Sequence, residues 1–489
     1  MTNIERPRQG IKRICAAITV GALLMVSASA FGMSEKKELE LGKQLHVQVI
    51  ASSGLYPDSD LQEYVNEIGQ KLAAVADRNH LQFHFFVLDD DVVNAMALPG
   101  GYIYVTRGLI AHLNSEAQLA AVIGHEIGHV DGKHASERDR SQKFSKLLTT
   151  LTAIGTGSAA ASSGADMLGT AAVSGYGRGQ ELEADALGAK FLAKTGYPTK
   201  AVVEGVEILK RREQFEIERA RTEDREPKLG KGLFATHPDN DKRFEEAVES
   251  ANEYITDADT YDENTEEFLD RLNGLRWGPT RTAGVIRNNW FYNSKFGIKM
   301  KFPNDWRVDG KPGTLMATSP DNKATMQVFG VVPGRTMTLE QALQRKLGVG
   351  EIRELTELTI SGMQAILVIG ERWGQSPFGP RPVRAAVIKD NRKRQAFIFA
   401  GTGRHDLSKI AADEEFISTI FSFDHMKQEE MLLGQPPSIK VVRAEEGTTF
   451  AELAKVSSVP AYAEQQLRLI NGMYPRGEPV PGQLIKVID

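Results

Sequence analysis

The chain has 489 residues, of which 41% are hydrophobic and 25% charged, with a formal net charge of −5. That length exceeds what one hydrophobic core holds, so two or three domains are expected. The net charge is small and no long basic run appears, so no nucleic-acid partner is expected.

The first residues read as a targeting segment rather than as part of the fold. Arg6, Arg8, Lys12 and Arg13 precede an apolar run over 14–26, which ends in Ala28-Ser29-Ala30. This is the pattern of a secretory signal peptide over 1–30, cut after Ala30 and delivering the chain to the periplasm. The run is short for a membrane anchor, the alternative reading. The single cysteine, Cys15, lies inside this leader. The mature chain therefore has no thiol for a disulfide, a cysteine-ligated zinc or a cysteine nucleophile. No later stretch of about 18 uninterrupted apolar residues follows, so no integral membrane span is expected after cleavage.

Helix-like apolar spacing over 34–76 (Leu39, Leu41, Leu45, Val49, then Leu61, Val65, Ile68, Leu72) predicts helices. The aromatic, alternating run over 81–88 predicts a strand. Pro99-Gly100-Gly101 predicts a turn, and Tyr102, Ile103, Tyr104 and Val105 a second strand. Asn114-Ser115 with Glu116 opens a helix running through Val130. The Gly, Ala and Ser-rich stretch 155–179 reads as a loop or short helices. Helices are expected over 180–194, stopped by Gly196 and Pro198, over 200–221, and from Pro238 to before Asp257.

From about Val285 the texture becomes strand-rich. Strands are expected over 285–302, 325–332, 363–372, 383–388 and 395–401, with helices over 339–347 and 407–421. The expected architecture is α+β and multidomain. A mainly helical domain with a small edge sheet spans 31–272, a small α+β domain of unknown role spans 285–425, and a separate tail spans 438–489.

The strongest chemical signal is His125-Glu126-Ile127-Gly128-His129 on the predicted helix. Positions i and i+4 share one helical face, so both imidazoles can reach one zinc ion. Glu126 sits about 100° round the helix, within reach of a water at that ion but not of a ligand position. A catalytic zinc takes a third protein ligand and keeps an open position. One candidate is His134, but on a continued helix its offset of five from His129 points it away. The other is Glu181, in Glu181-Leu182-Glu183-Ala184-Asp185 on another predicted helix. Asp185, one turn later on the same face, could accept the far ring N–H of a ligand histidine. The competing reading is an acidic solvated helix face, and Glu183, off the shared face, is expected to be that alone.

These pieces, taken with Asn94-Ala95, Leu98 through Ile103, Ser115-Glu116 with Leu119-Ala120, and Thr236-His237-Pro238 with Arg243, resemble the gluzincin endopeptidases of the CAAX prenyl protease and HtpX type (clan MA, family forty-eight). The likeness is nearest to the soluble periplasmic BepA-type branch and covers about 34–251. It implies a zinc-dependent metalloendopeptidase with one Zn2+ per chain, Glu181 as third ligand and Asp185 as its supporting partner. Where the family has Ser-Arg before the ligand glutamate, this chain has Gly177-Arg178. The likeness also implies that His237 can occupy a fourth ligand position and hold the enzyme idle; its competing reading is a residue packed at a helix start.

In such a site Glu126 would take a proton from water and pass it to the leaving amine. Arg178 and His237 are the candidates for stabilising the oxyanion. The strand Tyr102–Val105 is expected to be a sheet edge to which an extended substrate adds, favouring unfolded or misfolded envelope proteins. The tail, with Glu446-Gly447-Thr448-Thr449, Leu469-Ile470-Asn471-Gly472 and Pro481-Gly482-Gln483-Leu484-Ile485, resembles a LysM module with βααβ order. That implies a peptidoglycan tether, with a protein-docking module as the alternative. Two other functions compete: a chaperone-like assembly factor with a latent zinc site, and a peptidoglycan hydrolase.

Overall fold

The computed structural model describes residues 33–135, 176–227, 237, 249, 252, 263–278, 284–311, 314–332, 337–459 and 461–489. The expected signal peptide, the helix from Pro238, and most of the Gly, Ala and Ser-rich stretch lie outside these residues, as do Thr236, Pro238 and Arg243 of the family pattern. The protein is α+β with several sheets. It divides into two compact units, one ending at Phe268 and the other comprising Leu269–Asp489 with Asp89–Asp91. No helix among the described residues is long and apolar enough to cross a membrane.

The first unit opens with α1 (Glu35–Ser53) and α2 (Ser59–Ala73). The break between them falls at Gly54, whose φ of 72° ends α1. The Asp58 side chain then caps α2 by accepting from Leu61 N at 3.0 Å. A three-stranded sheet follows, built from β1 (His84–Leu88), β2 (Ala95–Leu98) and β3 (Tyr102–Thr106) in the order β1-β3-β2. β1 and β3 run parallel, while β2 and β3 form an antiparallel hairpin through Pro99-Gly100-Gly101.

This order corrects the expected substrate edge. Tyr102, Ile103, Tyr104 and Val105 form the middle strand and are buried throughout. The strand bordering the metal-motif helix is β2, which among the described residues pairs only with β3. Its sequence, Ala-Met-Ala-Leu, has little intrinsic strand preference. The turn and the β3 ladder make it a strand, not its own composition.

After the short α3 (Arg107–Ile110) comes α4 (Glu116–Asp131), the helix of the metal motif. Both of its ends are pinned. Ser115 caps the first turn, accepting from Gln118 N. The buried Glu116 accepts from Tyr64 Oη and Tyr197 Oη at 2.6 Å each and from Asn264 Nδ2 at 3.0 Å. At the other end Arg78 donates to the Val130 carbonyl at 2.9 Å while held in a buried two-pronged pair with Glu38 at 3.0–3.1 Å.

α5 (Arg178–Thr195) and α6 (Lys200–Thr222) pack on α4. Gly196 ends α5 in the left-handed conformation, as the sequence predicts. The α4–α5 crossing is made of small residues. A Cβ on Gly128 would stand 2.9 Å from the Ala184 carbonyl oxygen, and one on Gly188 would stand 3.2 Å from His125 N. Gly124 faces the Gly188 Cα at the same crossing. Two backbones thus touch where the site is assembled. α7 (Thr265–Arg271) ends across the division between the units.

The second unit is strand-rich. β4 (Val285–Arg287), β5 (Trp290–Asn293) and β6 (Ile298–Lys301) join β14 (Asp424–His425) in one sheet. A second, antiparallel sheet has the order β10-β11-β12-β13-β9-β8-β7. Its strands are β7 (Arg307–Lys311), β8 (Thr314–Thr318), β9 (Ala324–Val331), β10 (Ile352–Ile360), β11 (Met363–Trp373), β12 (Arg381–Asp390) and β13 (Gln395–Gly403). Along β12 and β13 alternate residues enter two cores. Ala386, Ile388, Phe397 and Phe399 face one, and Val383, Ala385, Val387 and Ile398 the other. Both faces are covered, the second by α8 (Leu339–Leu347), so these strands read as continuous apolar runs. The expected single strand over 285–302 is three strands separated by turns, and β7, β8 and β10 had no place in the sequence reading. The helix expected over 407–421 is α9 (Asp413–Phe421).

The tail runs β15 (Ile439–Arg443), α10 (Phe450–Val456), α11 (Ala463–Ile470) and β16 (Leu484–Ile488). The two strands pair antiparallel over a small core of Phe450, Val459, Leu467, Ile470 and Ile488.

Candidate functional site

His125 and His129 lie one turn apart on α4, and their Nε2 atoms are 3.0 Å apart. α5 brings in Glu181, which is fully buried. Its Oε2 is 3.6 Å from His125 Nε2 and its Oε1 is 3.6 Å from His129 Nε2. His237, also buried, sets Nδ1 3.2 Å from His125 Nε2 and 2.8 Å from Glu181 Oε2. Among the described residues these four side chains form the one group able to hold a metal ion.

The spacing fits a small tetrahedral ion. Zinc bonds of about 2.0–2.1 Å place tetrahedral donor atoms about 3.3–3.4 Å from one another. The five separations above run from 2.8 to 3.6 Å, and all four side chains offer donor atoms within 4.8 Å of one another.

The hydrogen-bond partners reinforce this. Asp185 Oδ1 is 2.7 Å from His125 Nδ1. A carboxylate only accepts, so Nδ1 carries the proton and Nε2 offers a lone pair. His129 Nδ1 is 2.8 Å from His134 Nδ1, and His134 Nε2 is 3.3 Å from Glu183 Oε2. A proton on His134 Nε2 facing Glu183 leaves His134 Nδ1 to accept from His129 Nδ1, so His129 Nε2 also presents a lone pair. Two lone pairs 3.0 Å apart in a buried site repel unless a cation lies between them.

The charges point the same way. Burial by itself would lower the pKa of His237, but Glu181 and Glu126 outweigh it and the ring is pushed up to about 9. Glu126 is buried beside the group, with Oε1 3.4 Å from His237 Nε2. Its Oε2 has no hydrogen-bond partner among the described residues.

His125, Glu126, His129, Glu181, Asp185 and His237 therefore lie together in one place. Arg178 does not join them, being exposed in the first turn of α5. Two expectations change. His134 does not continue the helix: α4 stops at Asp131, Lys133 takes a positive φ of 56°, and the chain turns back. The His134 ring then meets the rear of His129, in space that a Cβ on Gly132 would fill, standing 2.5 Å from His134 Nε2. Glu183 is correspondingly more than a solvated charge, since it closes this chain of contacts. Tyr176, buried and stacked on His129 at 3.7 Å between ring centroids, had no sequence signal at all.

The profile of peptidase family M48 matches residues 59–251. The beta-barrel assembly-enhancing protease of Escherichia coli (strain K12) is 28% identical over 266 residues, covering 50% of this chain and 52% of that protein. The mitochondrial metalloendopeptidase OMA1 of Schizosaccharomyces pombe is 26% identical over 221 residues, covering 44% and 60%. The OMA1 of Arabidopsis thaliana is 40% identical over 65 residues, 13% of each chain. The chain spans about half the length of the first of these relatives. The matched segment contains the four converging donors and Glu126, so it is over the site itself that this chain is similar to peptidase family M48.

Proposed function

We propose that this protein is a periplasmic zinc metalloendopeptidase acting on unfolded or misfolded envelope proteins, outer-membrane proteins among them. The observation that carries it is the convergence of His125, His129 and Glu181 donor atoms beside a buried, half-unpartnered Glu126. In this reading those three residues hold one zinc ion, which when bound supplies Lewis acidity. Glu126 accepts a proton from the attacking water at its carboxylate and returns it to the leaving amine. Asp185 and His134 hold the Nδ1 protons of the two ligand histidines and so fix their tautomers. The substrate lies extended along β2, whose Ala95 borders one side of the site and whose Ala97 and Leu98 border the other. The envelope substrates follow from the resemblance to the BepA-type branch, and the Escherichia coli relative is named a beta-barrel assembly-enhancing protease. Residues 438–489 are proposed as a LysM-like tether to peptidoglycan, and 285–425 as an α+β domain of separate role.

His237 shapes this proposal. In this reading its Nδ1, 3.2 Å from His125 Nε2 and 2.8 Å from Glu181 Oε2, would compete with water or substrate for the metal and hold the enzyme idle. His237→Ala is expected to raise the initial rate of casein cleavage several-fold while keeping zinc bound. An unchanged or lower rate excludes His237 as the latch. The same contact favours a second reading, a chaperone-like assembly factor with a permanently closed site. That reading requires casein to stay intact with both the wild type and His237→Ala.

His134 gives a separate expectation. Losing the partner of a ligand histidine typically weakens metal binding by about 10–100-fold. His134→Ala should do so in competition with a chromophoric chelator. An unaltered affinity would reduce the His129–His134–Glu183 contacts to packing.

A further inference from the structure

Beside Glu126 and His125 lies a cleft of about 420 Å3, counting the part open to solvent. Its wall on α6 is one helical face, Val202, Gly205, Val206 and Leu209, at the i, i+3, i+4, i+7 spacing. Val122 of α4 and Ala95 of β2 face it. Among the described residues the lining is apolar apart from His125, Glu126, Asp185 and His237.

Gly205 is the anomaly. Glycine in the interior of a 23-residue helix weakens that helix, and nothing in the backbone calls for it here, since φ is not positive. A close approach by a neighbouring element does not explain it either. Among the described residues a Cβ built on Gly205 meets no heavy atom within 4 Å, unlike the crowded glycines of the α4–α5 crossing. What the missing side chain leaves is open space in the cleft wall, next to the group that would move the proton.

We propose that this cleft receives a large apolar side chain, such as leucine, methionine or phenylalanine, from a residue flanking the scissile bond, and that Gly205 sets its depth. The inference rests on the endopeptidase reading and adds a preference to it. A charged side chain would lose its hydration against Val202, Val206 and Leu209 without gaining a partner. A small one would leave the walls wet. A pocket of this kind discriminates by about 10–200-fold per methylene.

The test uses the full chain, His237→Ala and His237→Ala/Gly205→Leu on quenched-fluorescent peptides. These are alanine- and serine-based and carry leucine or alanine at either position flanking the cleaved bond, with cleavage mapped by mass spectrometry. The measured quantity is the ratio of kcat/KM for leucine over alanine, which a general loss of active protein does not move. The ratio should exceed ten at one flanking position and fall at least tenfold in the Gly205→Leu chain. A ratio near one in the parent, or one unmoved by Gly205→Leu at both positions, overturns the proposal. If no peptide is cut by any chain, the endopeptidase reading fails instead. The cleft is then judged by peptide affinity in fluorescence anisotropy, comparing Glu126→Gln with Glu126→Gln/Gly205→Leu. A preference for leucine lost in the double variant sustains it, and equal affinities in both chains overturn it.

Discussion

Glu126→Gln is expected to lower kcat on casein by about 10^3-fold while leaving zinc content at one ion per chain. Glutamine keeps the size of glutamate but cannot accept a proton, and proton transfer by a positioned group contributes about 10^2–10^4-fold. Glu126 is buried and lies outside the group of converging donor atoms, so its replacement should not disturb metal retention. The measurement pairs casein cleavage with metal analysis of the same sample. The amide should also remove most of the attraction between position 126 and the His237 ring, 3.4 Å away, so the comparison is best repeated in the His237→Ala background. Cleavage at the parent rate would exclude Glu126 as the proton carrier. Loss of zinc together with activity would make it a ligand instead.

The second large effect is on stability. Glu181, Asp185 and Glu126 are all buried within one small cluster. A cation that binds only the folded chain stabilises it by about 4 kcal/mol at a thousand times its Kd. A domain of about 150–250 residues moves about 2–4 °C in Tm per kcal/mol. Chelation should therefore lower the melting temperature of the first unit by on the order of 10 °C, reversibly on adding zinc. Glu181→Ala should lose that response, because two imidazoles without the carboxylate hold zinc far less well. Wild-type zinc affinity in Glu181→Ala would remove Glu181 from the ligand set and the proposed site with it.

The legible parts of the fold were those where one local rule decides the outcome. Ser115 and Glu116 announce the start of α4, and Gly196 with Pro198 announces the end of α5. The i, i+4 spacing on α4 puts both histidines on one face wherever the helix packs. What was illegible depended on distant partners. β2 has no strand signature of its own, so composition points to β3 as the edge although it is the middle strand. His134 looked misplaced because its role begins where the helix ends, at a Lys133 backbone angle that composition does not announce. In the second unit β10 is mostly exposed and rich in charge, and its pairing with β11 is what makes it a strand. Tyr176 reaches His129 across some fifty positions of sequence, a distance that no periodicity spans.

The close passage of α4 over α5 has a consequence for how this domain can vary. The distance from the histidine pair to Glu181 is gauged by main chain resting on main chain, through Gly124, Gly128, Ala184 and Gly188. A bulky neighbour such as Ile127, fully buried, supplies cohesion rather than spacing. Cohesion and calibration are thus assigned to different residues. Drift among the large apolar positions can make the domain tougher or weaker with the coordination distances intact. One added methyl at Gly128 would detune the site in a protein that otherwise holds together.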